Sequence, residues 1–301
     1  MKRLIYLLTI IFLFGANTIA QNFSIFSQYI NNGLLLSPAY TGSREVLSMN
    51  LMYRNQWIGF EGAPVYQTFS VHAPLKSSKI ALGLLVLNEN EGAYHNTQMY
   101  FNYAYRMLLG NGKLSMGLRV GIDYGSYNLK NIYLNDQGDN QFSNNTNSAL
   151  RPNMGAGIYY YNNKAFAGFS IPYLLSYKTA GVYYNIKNYT YLITAGYLLD
   201  FSRDFKLKPS ALLKYNSYLN QQLDLNLNAI LLNNKLWLGA AYRMNEAYTA
   251  MLEVQLNPQF RVGYTFEYSA RNISQFNNTS HEIGLRYEFS YKIKAFNPRY
   301  F

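Results

Sequence analysis

In 301 residues the chain carries 26 Lys and Arg against 15 Asp and Glu, a formal charge of +11, and no cysteine. That last absence excludes disulfide frameworks, thiolate metal sites, cysteine nucleophiles and an acylated lipoprotein anchor. Tyrosine numbers 31 against 2 Trp while only 14% of residues are charged, where a soluble domain carries about a quarter, and this profile suits strands with one face in lipid and Tyr at the interfaces.

The chain opens with Lys2 and Arg3 ahead of an apolar run from Leu4 to Phe14, followed by small and polar residues up to Ala20. A basic start, a short apolar stretch and small residues at Thr18 and Ala20 predict a secretory leader over 1–20, removed after Ala20 to leave Gln21 first. The run is too short to cross a hydrocarbon core as a helix, which needs about twenty residues. Two of the cations belong to this leader, and the others are scattered along the chain. In an exported protein such scattered charge points to anionic lipid headgroups and away from nucleic acid. Residues 21–44 then precede any alternating pattern, and are expected either to enter a barrel lumen as a plug or to lie against its periplasmic rim.

From Leu47 onward the apolar residues recur with period two, because successive side chains on a strand point to opposite faces. The clearest case is 114–124. There Leu114, Met116, Leu118, Val120, Ile122 and Tyr124 share one face and Ser115, Gly117, Arg119, Gly121 and Asp123 the other. A helix would mix the two sets on every turn. The same register predicts strands at 47–54, 65–73, 80–87, 97–107, 154–160, 165–171, 189–199, 205–215, 223–231, 236–242, 248–256, 260–268 and 281–291. Of these, 80–87 alternates least, being apolar on both faces.

The fold class expected is therefore all-β: an antiparallel transmembrane barrel of about fourteen strands over 45–301, one domain behind its N-terminal segment. With the first strand running outward, the even connections at 75–78, 110–112, 162–163, 202–203, 233–234 and 257–258 are all tight. Their Asn, Gly and Lys residues tolerate the positive φ of a two-residue hairpin. The odd connections at 55–64, 127–150, 172–188 and 269–280 are long, and 244–247 is the one short exception expected. Short turns inside and long loops outside are a property of outer-membrane barrels.

The register also sorts the charges. Arg54, Arg106, Arg119, Lys206, Lys208, Lys214, Arg243, Arg261 and Arg286 face inward with Asp123, Asp200, Asp224, Glu253, Glu267, Glu282 and Glu288. Near balance predicts pairing across the interior, whereas a selective pore shows a one-signed excess at its constriction. Catalysis finds little support. His95 and His281 fall on outward faces near strand ends, and His72 merely shares an inward face with Ser70 and Thr68. The acidic stretch 135–140 lacks the spacing and terminal Glu of a calcium loop. No catalytic residue, metal site or cofactor is expected.

Several motifs carry a family resemblance: Phe26-Ser27-Gln28-Tyr29, Ser37-Pro38-Ala39-Tyr40-Thr41-Gly42, Arg54-Asn55-Gln56-Trp57 and Gly62-Ala63-Pro64. They continue through Tyr103-Ala104-Tyr105, Leu114-Ser115-Met116-Gly117, Pro152-Asn153-Met154-Gly155-Ala156-Gly157, Gly168-Phe169-Ser170-Ile171-Pro172 and His281-Glu282-Ile283, essentially the whole exported chain. The sequence resembles the PorP/SprF family of outer-membrane proteins linked to type IX secretion in Bacteroidetes. Ser37 stands where that family has Asn, and a small polar residue still caps the turn. The resemblance implies a non-enzymatic barrel that binds, delivers or retains a secreted, adhesin-like surface protein bearing a type IX export signal, alongside other type IX components. The alternative is a diffusion channel or small-solute transporter. Pro38, Tyr40, Gly42, Arg54, Gln56, Trp57, Phe60 and Pro64 are the candidate plug or partner-binding residues, with Trp57, Tyr40 and Phe60 expected to anchor the pre-barrel segment in the wall or at the rim.

Overall fold

The computed structural model describes residues 27–76, 78–128, 146–178, 181–183, 189–217, 219–270 and 279–289. The expected leader, the acidic stretch 135–140 and residues 290–301 lie outside the described residues. The strands are β1 (Leu47–Asn55), β2 (Val65–Pro74), β3 (Ile80–Glu91), β4 (Tyr94–Leu109), β5 (Gly112–Tyr127), β6 (Thr146–Tyr161), β7 (Ala165–Ile171), the short β8 (Ser176–Lys178) and β9 (Gly181–Tyr183), β10 (Tyr191–Tyr197), β11 (Leu199–Asp200), β12 (Phe205–Asn216), β13 (Leu219–Leu231), β14 (Leu236–Arg243), β15 (Ala247–Gln255), β16 (Phe260–Ser269) and β17 (Thr279–Phe289).

Neighbours in sequence pair antiparallel around one sheet, and β10 bridges from β7 to β12 while β1 meets β17, so the sheet closes on itself. Both β10 and β11 pair with β12 on either side of Leu198, and form one interrupted strand. With β8 and β9 forming a separate hairpin, the ring has fourteen strands, the number the alternation implies. Closure leaves no unpaired edge, which is what allows strands to cross a membrane at all.

Burial follows the predicted register. On β5, Leu118 and Val120 are 60% and 56% exposed on the outside, while Ser115 and Arg119 are 0% and 1% exposed on the inside. Thus the outer face is the apolar one, inverting a soluble protein. In the tight turns Asn233, Asn234 and Gly110 take φ of 55°, 69° and 56°, the conformation for which Asn and Gly are suited.

Two expectations about connections need correcting. Strands β3 and β4 extend until only residues 92–93 separate them, and β12 and β13 until only 217–218 do. Three odd connections are therefore tight, where one was expected. The cause is visible between β3 and β4: Asn88, Glu89, Asn90 and Glu91 are polar on both faces, so alternation ends before pairing does. Thr97 Oγ1 donates to Asn88 Oδ1 at 2.9 Å, and His95 Nδ1 lies 2.6 Å from Asn90 Oδ1, continuing the ladder with cross-strand side-chain pairs.

Residues 27–44 pack on the inward faces of the strands. A 3-10 turn at Ser27–Asn31 touches β16 and β17, and a second at Pro38–Tyr40 touches β4, β5 and β6. Leu34, Ala39 and Tyr40 join Met52, Tyr66, Leu85, Tyr100, Tyr159 and Tyr161 in one buried cluster. This explains why β3 reads as apolar on both faces: its inner side meets chain, not water.

Candidate functional site: the inner wall and the segment against it

Backbone that leaves the wall must find hydrogen bonds elsewhere, since buried N–H and C=O groups cost free energy when unpaired. Along residues 27–45 the segment's own turns pair part of the backbone, as from the Ser37 amide to the Gly33 carbonyl at 3.0 Å, and inward side chains of the barrel supply further partners. At the short-turn end, the Gly42 amide donates to His72 Nδ1 at 3.0 Å, and the Arg106 guanidinium donates to the carbonyls of Gly42 and Ser78. Glu45 Oε1 accepts from Lys113 Nζ at 2.7 Å, Tyr161 Oη at 3.0 Å and Arg106 Nη1 at 3.1 Å. This is where the chain passes into β1.

Further in, Ser37 caps the Pro38–Tyr40 turn as its size and polarity imply, its Oγ accepting from the Ala39 amide at 3.2 Å. The Leu36 carbonyl accepts from Ser170 Oγ at 2.7 Å, and the Leu34 carbonyl accepts from Arg119, whose Nε also donates to Asn102 Oδ1 at 2.8 Å. Two glycines make this approach possible. A Cβ on Gly117 would lie 2.2 Å from the Ala39 nitrogen, and one on Gly157 would lie 2.4 Å from Ser37 Oγ. Glycine within a strand commonly marks such a close approach of another backbone. The Tyr40 ring then meets those of His72 and Tyr159 edge-on, at 5.5 and 5.6 Å between centroids.

At the long-loop end, Ser27 donates its amide to Glu282 Oε1 at 2.7 Å and its hydroxyl to Glu267 Oε2 at 2.5 Å. Arg54, only 2% exposed, bridges the same two carboxylates. Arg243 joins Glu267 at 3.2 Å to Asp224 at 3.3 Å. Toward the short-turn end, Glu253 takes Arg261 at 2.8 Å and Arg286 at 2.7 Å, and Arg44 pairs with Glu288 at 2.5 Å. Burial lowers the pKa of the Arg44 guanidinium, but the Glu288 carboxylate outweighs it and holds the group above the ordinary arginine range. The expected pairing of inward charges is thus present as a lattice along the wall between neighbouring strands, and Arg44 and Glu45, ahead of the first strand, belong to it as well.

The predicted site residues fall into two groups. Pro38, Tyr40 and Gly42 sit together inside, and Arg54 holds the other end of the same segment. Gln56, Trp57, Phe60 and Pro64 lie apart, in the connection beyond β1: the Gln56 amide donates to the Pro64 carbonyl at 3.0 Å, and the Trp57 amide to Ser280 Oγ at 3.2 Å. Phe60 is 48% exposed there. The expectation that Trp57 and Phe60 join Tyr40 as anchors is therefore corrected: among the described residues Tyr40, itself part of the segment, is the one whose ring packs on the inner wall, and the other two lie in the connection after β1. His72 and Ser70 are engaged by the segment too, Ser70 Oγ donating to Asn32 Oδ1 at 3.1 Å. Among the described residues no group of His, Asp and Glu is placed to hold a metal ion.

A closed antiparallel ring with an apolar exterior and a charged, hydrogen-bonded interior defines the class: an outer-membrane β-barrel. A family model described as "Type IX secretion system membrane protein PorP/SprF" matches residues 18–287, and the chain belongs to that family. None of the curated proteins matches it. Among solved structures it is similar to the Ralstonia pickettii toluene transporter TbuX, with 9% identity, TM-score 0.54 and coverage of 90% of this chain and 96% of that one. It is also similar to the CymD monoaromatic hydrocarbon channel, with 13% identity, TM-score 0.52 and coverage of 91% and 95%. For a deletion mutant of the TodX monoaromatic hydrocarbon channel the values are 10%, 0.50, 85% and 93%. At such identities the likeness is one of fold.

Proposed function

We propose that the barrel works through its surfaces and not through a bore: a non-enzymatic outer-membrane component of type IX secretion that binds, delivers or retains a secreted, adhesin-like surface protein. One observation carries this reading. Residues 27–44 are hydrogen-bonded along the inner wall from Glu45 to Ser27, and this supports reading the segment as a plug where a channel would keep a path for solute. A leader over 1–20, removed after Ala20, brings the chain to the outer membrane, and other type IX components and membrane lipid complete its surroundings.

The surface offered to the partner is the sheet β3–β6. Strands β4, β5 and β6 are 16 residues long, where about ten suffice to cross. Their outward positions change from Met99, Tyr124 and Leu150 to Thr97, Ser126 and Ser148, so this end of the sheet stands beyond the hydrocarbon. Its inner side carries Tyr94 and Tyr127, whose ring centroids lie 4.9 Å apart, together with Tyr173 of the connection after β7, whose hydroxyl donates to Gln98 Oε1 at 3.0 Å. Tyrosines supply contact area at low conformational cost.

Deleting the gene is expected to remove one secreted protein from the cell surface while general type IX export continues, as read by mass spectrometry of surface and medium fractions. An unchanged surface proteome would defeat the proposal. The fold likeness to channels makes diffusion the second reading. Purified protein in planar bilayers is expected to be silent, and stable conductance steps from the intact chain would favour the channel instead.

A further inference from the structure

The short-turn end of the barrel, where Glu45 is also held, has space among its described residues on the side of β12–β16. A cavity of about 650 Å³ lies there among the turns at 202–203, 233–234 and 257–258. Its lining combines three cations, Arg203, Lys206 and Lys235, with the amides of Asn234, Gln255 and Asn257, and contains no carboxylate. Lys206 precedes the buried Lys208 and Gln255 follows the buried Glu253 by one alternation, so both point toward the barrel axis. Behind the lining, Lys208 Nζ and the Arg261 guanidinium lie 5.1 and 5.0 Å from the Trp237 ring centroid, and Arg261 Nη2 donates to Gln255 Oε1 at 2.8 Å. The positive charge of the mouth is therefore backed by more of the same sign. The acids nearby are Asp200, paired with Lys206 at 3.3 Å, Asp204 in the same turn as Arg203, and Glu253, paired with Arg261 and Arg286.

We infer that this vestibule is an anion-recognition site for an acidic polypeptide segment presented from the periplasmic side. Short turns face the periplasm in outer-membrane barrels, which fixes the side of approach. Lys206 points into the ring, while Arg203 and Lys235 stand in the exposed turns at its rim. The chain's own last residues are not the occupant by charge, since 290–301 hold Lys292, Lys294 and Arg299 and no Asp or Glu. The cavity lies in the ordinary size range of binding pockets, roughly 300–1,000 Å³, and admits a few residues of extended chain. Amide side chains both donate and accept, matching a peptide backbone, while Arg and Lys select its carboxylates.

The test uses the full chain in nanodiscs and a dye-labelled octaglutamate peptide, followed by fluorescence anisotropy at low and physiological salt. Saturable, salt-sensitive binding is expected, weakened roughly tenfold in an Arg203→Glu/Lys235→Glu double variant. Heat-modifiability should be retained, since both side chains stand in exposed turns, and Arg203→Gln/Lys235→Gln serves if charge reversal impairs assembly. Absence of saturable binding, equal affinity in the double variant, or equal binding of octalysine would overturn the inference. Displacement by low-millimolar inorganic phosphate would reduce the site to one for simple anions, and overturn the polypeptide reading.

Discussion

Arg54→Met is expected to destabilise the barrel by about 3–5 kcal/mol, the usual cost of removing one member of a buried ion pair. The methionine preserves most of the apolar stem, so the loss is chiefly electrostatic. Arg54 bridges Glu267, at 2.7 Å, and Glu282, and both acids are almost wholly buried. Without it, both buried acids lose the cation they share, while Glu267 keeps Arg243 and the Ser27 hydroxyl and Glu282 keeps the Ser27 amide among its contacts. The measurement is the urea midpoint of folded against unfolded mobility on unheated gels. Adding Glu282→Gln in the same chain should recover a sizeable part of the loss, because the second substitution removes one of the two buried negative charges that Arg54 balanced. A midpoint within about 1 kcal/mol of wild type for Arg54→Met alone would show that the two acids are solvated or protonated without consequence.

How much of this was legible in the residues depends on what each residue faces. Where one side of a strand meets lipid and the other meets polar interior, as at Leu118 beside Arg119, alternation fixes both the strand and the side. Where both sides meet chain, as at Leu85, or both meet water, as at Asn88 to Glu91, alternation loses its contrast. The length of β3 and the tightness of its connection to β4 were hidden for that reason. The inward charges sorted correctly because each sits one step from a lipid-facing neighbour. Partners along the wall were not legible, since which Arg meets which acid is set by the register between neighbouring strands, as for Arg54 with Glu282 and Arg243 with Asp224. The grouping of Trp57 and Phe60 with Tyr40 failed because closeness in a list of motifs is not closeness in space: Arg54 is the last inward residue before the chain leaves the wall. Gly117 and Gly157 did leave a signal. Two glycines at inward positions of adjacent strands, where β-branched residues would strengthen pairing, mark room kept for another backbone.

That room gives the second large prediction. Gly117→Leu is expected to expel the Pro38–Ala39 turn from the wall, because the first added carbon already falls 2.2 Å from the Ala39 nitrogen. The strand cannot yield, being paired on both edges with β4 and β6, so the inner segment must. Its displacement breaks the bonds from Arg119 to the Leu34 carbonyl and from Ser170 to the Leu36 carbonyl. Overpacking of this kind costs about 1–3 kcal/mol, which a closed fourteen-stranded ring survives. The larger effect is on permeability: bilayers containing the variant should show conductance steps that the wild type lacks, and a cysteine placed at Ala39 in the variant should become accessible to thiol reagents. Met116→Leu, a neighbouring change on the lipid face, should alter neither readout. A Gly117→Leu protein that stays silent, with the position-39 cysteine still protected, would mean the segment does not fill the bore at this level, and the reading of the barrel as a surface-acting protein would lose its main support.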